Sequence, residues 1–233
     1  MKIKLSPRLE VIAGCVAGVE SMADIGTDHG YLPVYLVENG LVSRAIASDT
    51  NQQPLKKAEK IISEQQLEKQ IETRLGSGLS VLKPGEVDAV VMAGMGGLLI
   101  RDLLEAQPDV ARQKKKLVLQ PMNNQAVLRK YLAMTGFRIS REELAREGDR
   151  IYEVIVAEPG EMIVTNPLEY ELGFEFFTHK HPLLIALIDR KIFLEQQIVI
   201  NTRGKTTAVA TKQWQESSLF IEKLNEVKRC LLN

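Results

Sequence analysis

A chain of 233 residues, 45 % of them hydrophobic, has material for one full α/β domain plus an appendage. Its formal net charge of zero excludes a global field that would announce a nucleic-acid partner, so only the distribution of charge is informative. Two cysteines at opposite ends, Cys15 and Cys230, give neither a disulfide framework nor a metal cluster and point to a reducing, cytoplasmic setting.

Lys2, Lys4 and Arg8 ahead of Val11 to Cys15 mimic a lipoprotein export signal, but Glu10 interrupts the apolar segment, which is too short. Residues 6 to 19 therefore read as an amphipathic opening helix. Met22 to Ile25 is the first strand, and a helix over Tyr31 to Glu38 follows, with Pro33 in its first turn and Asn39-Gly40 at its stop. Strand two ends at Asp49, and Asn51 is the expected cap of a helix carrying Leu55, Ala58, Ile61 and Ile62 on one face. Ile71 to Leu75 is a third strand, ending at Gly76-Ser77-Gly78. Val87 to Met92 is a fourth, ending at Ala93-Gly94-Met95-Gly96-Gly97, and a helix from Leu98 to Ala106 follows. Leu117 to Leu119 is the fifth; Asn123 or Asn124 opens a helix that Gly136 ends. Phe137 to Leu144 and Ile151 to Ala157, with no helix between them, predict an antiparallel hairpin at one sheet edge. The expected fold is α/β: a doubly wound, mostly parallel, seven-stranded Rossmann-like sheet.

After Pro159 the character changes. Residues 1 to 160 read as the cofactor-binding catalytic domain and 161 to 233 as a C-terminal helical, coiled-coil-like hairpin. Residues 160 to 181 form an aromatic-bearing linker with Phe174, Phe176 and Phe177. Leu184, Leu187, Ile188, Ile192, Ile198 and Val199 stripe one helix; Phe220, Leu224, Val227 and Leu231 stripe the second, with Thr202 to Lys205 as the turn. From Lys180 onward nine Lys or Arg face five Asp or Glu, a net of +4 that suits either an RNA contact or a solvated hairpin. No apolar run reaches the ~18 residues of a membrane span. His179 and His181 lack acidic or cysteine companions at ligand spacing, so no metal is expected.

The chemistry concentrates at strand ends. Asp24-Ile25-Gly26-Thr27-Asp28-His29-Gly30 is a strand running into a glycine turn, and Asp49 stands nineteen residues beyond Gly30. Glycines admit a nucleoside-bearing cofactor, and a carboxylate at that distance grips its ribose. A dinucleotide wants G-x-G-x-x-G against its pyrophosphate, whereas this turn carries two acids that would repel one. A phosphate-free cofactor with a cationic centre fits better, and S-adenosyl-L-methionine is the common one. Gly26 to Gly30 would wrap its methionine part and Asp49 would accept from the ribose hydroxyls, with Asp24 and Thr50 also among the cofactor-binding candidates. Gly76, Ser77, Gly78 and Leu79 would border the adenine, and Gly94 and Met95 would close over the sulfonium.

The glycine-rich fourth loop supplies no base but lets a flat group approach closely, Gly96 among its contacts. That suits a ring nitrogen with its own lone pair. Asp28 either holds the cofactor or stabilises the charge that develops on the ring. His29 is a general-base candidate or a cover for the cofactor, and Tyr31 a stacking surface or a packing residue. Gln120, Pro121 and Asn123 could read a base edge; capping explains the asparagines equally well.

Together, Asp24 to Pro33, Ala93-Gly94-Met95-Gly96-Gly97 and Leu119-Gln120-Pro121-Met122 resemble the bacterial tRNA adenine-N1 methyltransferases that modify position 22, over the whole chain. The resemblance implies a class I S-adenosylmethionine fold, a helical domain that helps hold tRNA, and a cofactor site including Gly26, Asp28, Gly30, Asp49, Ser77, Gly78, Gly94 and Met95. Ser77 departs from the commoner methyltransferase pattern, where an acid often meets the adenine amino group. A small-molecule methyltransferase with a helical lid or dimer element, and a non-catalytic cofactor-binding scaffold, are the alternatives. A monomer is favoured.

Overall fold

The computed structural model describes residues 3–174, 176 and 180–232; Phe177 and His179 lie outside the described residues. The first compact unit, Met1–Glu175, carries helix α1 (Pro7–Val16) and then alternating elements. These are β1 (Ser21–Ile25), α2 (Tyr31–Glu38), β2 (Arg44–Asp49), α3 (Gln52–Glu64) and β3 (Ile71–Leu75), followed by a 3-10 turn at Gly78–Val81. β4 (Ala89–Met95), α4 (Gly97–Ala106), α5 (Pro108–Arg112), β5 (Lys116–Pro121) and α6 (Gln125–Met134) continue the alternation. β6 (Phe137–Glu147), β7 (Arg150–Pro159) and the short α7 (Leu168–Leu172) complete the unit.

The seven strands lie in the order β3-β2-β1-β4-β5-β7-β6. β1 to β5 are mutually parallel, and β7 runs antiparallel to both β5 and β6. Both faces are covered because neighbouring residues point to opposite sides. Met22, Val91 and Val118 pack with Ile12, Val16, Leu36 and Ile62 on one side. Ala23, Ile25, Val90, Met92, Leu117 and Leu119 pack with Ile100, Leu104, Leu128 and Leu132 on the other. The chain leaves β1 toward β3 and returns to β4 on β1's other flank, so a crevice opens beyond the carboxyl ends of β1 and β4.

Some elements differ from the sequence reading. α1 stops at Val16, because Gly18 takes a φ of +90°. β4 runs on through the glycines to Met95 instead of ending at Met92, with a register shift against β5 between Ala93 and Met95. Gly94, at φ +76°, makes that bulge possible.

Behind β6 and β7 the Arg129 side chain is wholly buried between Glu142 and Glu153, at 2.7 Å from each. It also donates to the Tyr170 carbonyl at 3.0 Å, and Glu142 accepts from the Phe174 backbone N–H. The segment through α7 is thereby tied to the first unit, and the compact division falls after Glu175.

The second unit, Phe176–Asn233, holds α8 (Leu184–Thr202) and α9 (Ala208–Leu232). Lys228, late in α9, pairs with Asp189, early in α8, so the helices are antiparallel. Leu184, Leu187, Ile188 and Ile192 are buried on α8; Ala210, Ser217 and Leu224, spaced by seven, are buried on α9. Of the predicted stripes, Ile198 is exposed and Leu224 is the one residue of the α9 set that is fully buried.

Candidate active site

The turn after β1 is held by its own backbone. Gly26 and Thr27 both donate to the Ser48 carbonyl at 2.8 Å, which binds the turn to the end of β2. Gly26 has a φ of +79°, which favours glycine, and the space where a Cβ would stand is taken by the Met95 methyl, 2.2 Å away. Thr27 Oγ1 accepts from Gly30 N–H at 3.2 Å, and Gly30, at φ +70°, opens α2 against Ala58 of α3.

Around this turn lies a cleft of about 500 Å³, lined by Arg8, Leu9, Asp24, Gly26 through Leu32 on the β1–α2 side, and Ala93 and Gly94. Asp24 sits at its base, nearly buried. Burial pushes its carboxyl up to about 6; the Thr27 hydroxyl opposes that, nearby Asp49 adds to it, and Arg8 counters it. At the mouth, Asp28 is exposed and pairs with His29 Nδ1 at 2.9 Å, while Lys57 Nζ lies 3.4 Å from Nε2. The tautomer that satisfies both contacts donates from Nδ1 and accepts at Nε2, which leaves neither ring nitrogen unengaged. Tyr31 stacks on the imidazole with centroids 5.2 Å apart and the rings nearly parallel, and it is itself exposed.

Asp49, Thr50, Gly76, Ser77 and Gly78 occupy the ends of the two neighbouring strands, outside this lining. Asp49 Oδ1 accepts from Asn51 N–H at 2.7 Å; Asn51 precedes α3, but its own side chain makes no capping bond. Gly76 N–H donates to the Asp49 carbonyl at 3.0 Å, which extends the β2–β3 pairing into the two loops. Leu79, read as bordering the adenine, turns its side chain into the core.

The loops after β4 and β5 form a ledge. Met122 N–H donates to Met95 O at 2.7 Å and Gly97 N–H to Asn123 O at 3.0 Å. A Cβ on Gly97 would stand 2.6 and 2.7 Å from the Asn124 and Asn123 carbonyl oxygens, both rigid backbone. Gly97→Ala should therefore cost on the order of 1–3 kcal/mol of stability by overpacking, measurable by urea denaturation; an unchanged midpoint would show that the ledge yields. Gly96 faces the exposed Asn123 side chain, and Pro121 is buried.

Gln120 corrects the sequence reading. It is wholly buried, and its Oε1 accepts from Arg8 at 2.7 Å and from Gly94 N–H at 3.1 Å, while Nε2 donates to Pro121 O. With its amide so engaged it presents no edge to a base; it positions Arg8 and Gly94 instead. Arg8, half-buried and 5.5 Å above the Tyr152 ring, is the cleft's cation and was not identified from the sequence. The available signal was parity: Gln120 shares the face of Val118, which looks toward α1, so a polar group there needed a partner from that helix.

Residues 5–155 match the family described as Methyltransferase domain. The tRNA (adenine(22)-N(1))-methyltransferase of Bacillus subtilis is 40 % identical over 160 residues, 69 % of this chain and 67 % of that one. The crystal structure of the B. subtilis m1A22 tRNA methyltransferase TrmK superposes with a TM-score of 0.86 at 32 % identity, covering 97 % of this chain and 99 % of that one. M. capricolum TrmK in complex with S-adenosyl-homocysteine gives 0.83 at 28 % identity, over 97 % and 99 %. With its switch-point cleft, its seven-stranded sheet and these relatives, the chain belongs to the tRNA (adenine(22)-N(1))-methyltransferase family.

Proposed function

We propose that this chain transfers the methyl group of S-adenosyl-L-methionine to N1 of adenine 22 in tRNA, acting in the cytoplasm as a monomer. The observation that carries the reading is the cleft at the β1–β4 switch point, in a chain of this family. Its residues fit the cofactor: a nearly buried Asp24 whose charge has been made costly awaits a cationic group, in a cleft of about 500 Å³ bordered by the turn that Gly26 and Gly30 shape at positive φ. An acid-lined turn, by contrast, repels a pyrophosphate. When bound, S-adenosylmethionine supplies an electrophilic methyl on sulfur.

Gly26 to Gly30 would hold the methionine part, with Asp24 facing its ammonium and Arg8 its carboxylate. Asp49 would take the ribose, and Gly76 to Gly78 would border the adenine. The adenine N1 of the substrate carries its own lone pair, so the chain needs to position the ring and balance the positive charge it acquires, without removing a proton. Asp28, exposed at the mouth beside His29, would balance that charge; Tyr31 would offer a surface for the base, and the absence of side chains at Gly94 and Gly96 would let the ring come close. The test is labelled S-adenosylmethionine with unmodified tRNA, followed by mapping of the methylated nucleoside. Any product other than 1-methyladenosine at position 22 overturns the reading. Removal of residues 176–233, a cut that spares the Arg129 network, should lower tRNA methylation while cofactor binding persists; undiminished methylation would remove the tail from RNA recognition.

Asp24 sets a pH dependence. Because its carboxyl is raised from 3.8 to about 6, the folded protein holds the proton more tightly than the unfolded chain between those values. The stability of the empty protein therefore falls as pH rises through that window. A cationic ligand favours the ionised form, so cofactor affinity should rise over the same interval, by up to about tenfold per pH unit. Calorimetric titration from pH 4 to 7 should show this in the wild type and not in Asp24→Asn; a flat wild-type profile would exclude Asp24 as the cation's partner.

A further inference from the structure

The turn joining α8 to α9 closes a second concavity, of about 310 Å³, lined by Thr202, Arg203, Gly204, Lys205, Thr211 and Trp214. Its composition differs from the rest of the hairpin. Glu195 and Glu216 enclose twenty residues that contain Arg203, Lys205 and Lys212 and no acid. Lys212 pairs with Glu216, while Arg203 and Lys205 belong to the concavity. Trp214, the single tryptophan of the chain, is 45 % exposed there. Trp214 lies on the same face of α9 as the buried Ala210 and Ser217, at the end of the seam, and still leaves much of its indole exposed. Gly204, at φ +76°, has open space where a Cβ would stand. Thr202 and Thr211 donate their hydroxyl hydrogens to the Ile198 and Thr207 carbonyls, at 2.7 and 3.1 Å, and so offer acceptors to a ligand.

An exposed aromatic face beside two cations, with no acid lining the space, matches what single-stranded nucleic acid requires: a surface for a base and charge for its phosphates. We infer that this concavity is a nucleotide subsite, in which Trp214 stacks on an unpaired base of the tRNA while Arg203 and Lys205 take the flanking phosphates. The inference rests on the tRNA reading above and adds to it a defined contact far along the chain from the methyl-transfer cleft. Sequence-tolerant stacking is the expected mode, because every base has a π face.

Having one tryptophan makes the test direct. Full-length protein is titrated with an unmodified tRNA transcript, and indole emission is followed alongside the anisotropy of labelled tRNA at several salt concentrations. Emission should be quenched by tRNA and unaffected by S-adenosylmethionine. Trp214→Ala should weaken tRNA binding about tenfold, and Trp214→Phe should recover most of it. Arg203→Gln with Lys205→Gln should flatten the slope of log K against log salt by about 1.4, roughly 0.7 for each cation on a single strand. If Trp214→Ala binds tRNA as tightly as the wild type, and wild-type emission is unmoved by saturating tRNA, the inference fails while methyl transfer stands. If tRNA does not bind at all, both fail. Emission that shifts with protein concentration alone, with a dimer in light scattering, assigns the concavity to a second copy and overturns the RNA subsite.

Discussion

Arg129→Met should cost the protein about 3–5 kcal/mol of stability. The guanidinium is wholly buried and bonded to Glu142 and Glu153, and the two carboxylates lie on paired strands of the closing hairpin. Burial by itself would weaken Arg129 as a cation, but the two acids hold its pKa above the ordinary value. Removing the guanidinium takes from each of two buried carboxylates a charge-assisted bond at 2.7 Å that methionine cannot supply. The melting temperature should fall by roughly 10 °C, given ~2–4 °C per kcal/mol for a chain of this size. Proteolysis should open the segment around Tyr170 and Phe174, which the network ties down. Replacing Arg129, Glu142 and Glu153 together by apolar residues should restore much of the loss, because the penalty comes from uncompensated charge. A single variant that melts within a degree of the wild type would show that the network contributes nothing.

Arg8→Ala should raise the dissociation constant for S-adenosylmethionine about 10- to 100-fold at neutral pH with the fold intact, the magnitude of a lost charge-assisted bond. Arg8 serves the cleft in two ways. It lowers the Asp24 carboxyl toward ionisation, and through Gln120 Oε1 it shares an acceptor with Gly94 N–H. Without it Asp24 should titrate still higher, so the rise of cofactor affinity should move to higher pH. Arg8→Lys should recover only part, since an ammonium lacks the planar fork that can reach Gln120 and a ligand together. Gln120→Leu should weaken binding as well, and the double variant should lose less than the two single losses combined, because both act through one bonded unit. Binding unchanged in Arg8→Ala, measured by calorimetry from pH 5 to 8, would remove this residue from the cofactor site.

The glycines were legible because backbone need is local. Gly26 and Gly30 take positive φ where the turn demands it, and the spacing from Gly30 to Asp49 follows from one helix and one strand. The start of β4 was legible as an unbroken apolar run, and β1 as a short apolar segment interrupted at Asp24, a composition that strands covered on both faces require. The far end of β4 was not: glycine ordinarily punctuates a strand, and only pairing with β5 carries this one through Gly94 to Met95. The roles of Arg8, Gln120 and Arg129 were also hidden. A polar letter does not name its partner, and theirs are 112 residues away for the first pair and 13 and 24 for Arg129's two acids.

By itself, then, the amino-acid sequence determined the alternation of strands and helices, the acid-lined glycine turn, the kind of cofactor that turn tolerates and the helical character of the tail. These depend on periodicity, backbone freedom and charge within short windows. The tertiary structure alone decided that β4 returns beside β1 to open the cleft, that Gln120 turns inward to hold Arg8 and Gly94, and that Arg129 locks the closing hairpin. The first is a pairing of apolar strands from separate parts of the chain, and the other two follow from which buried polar groups can satisfy one another once the sheet has formed.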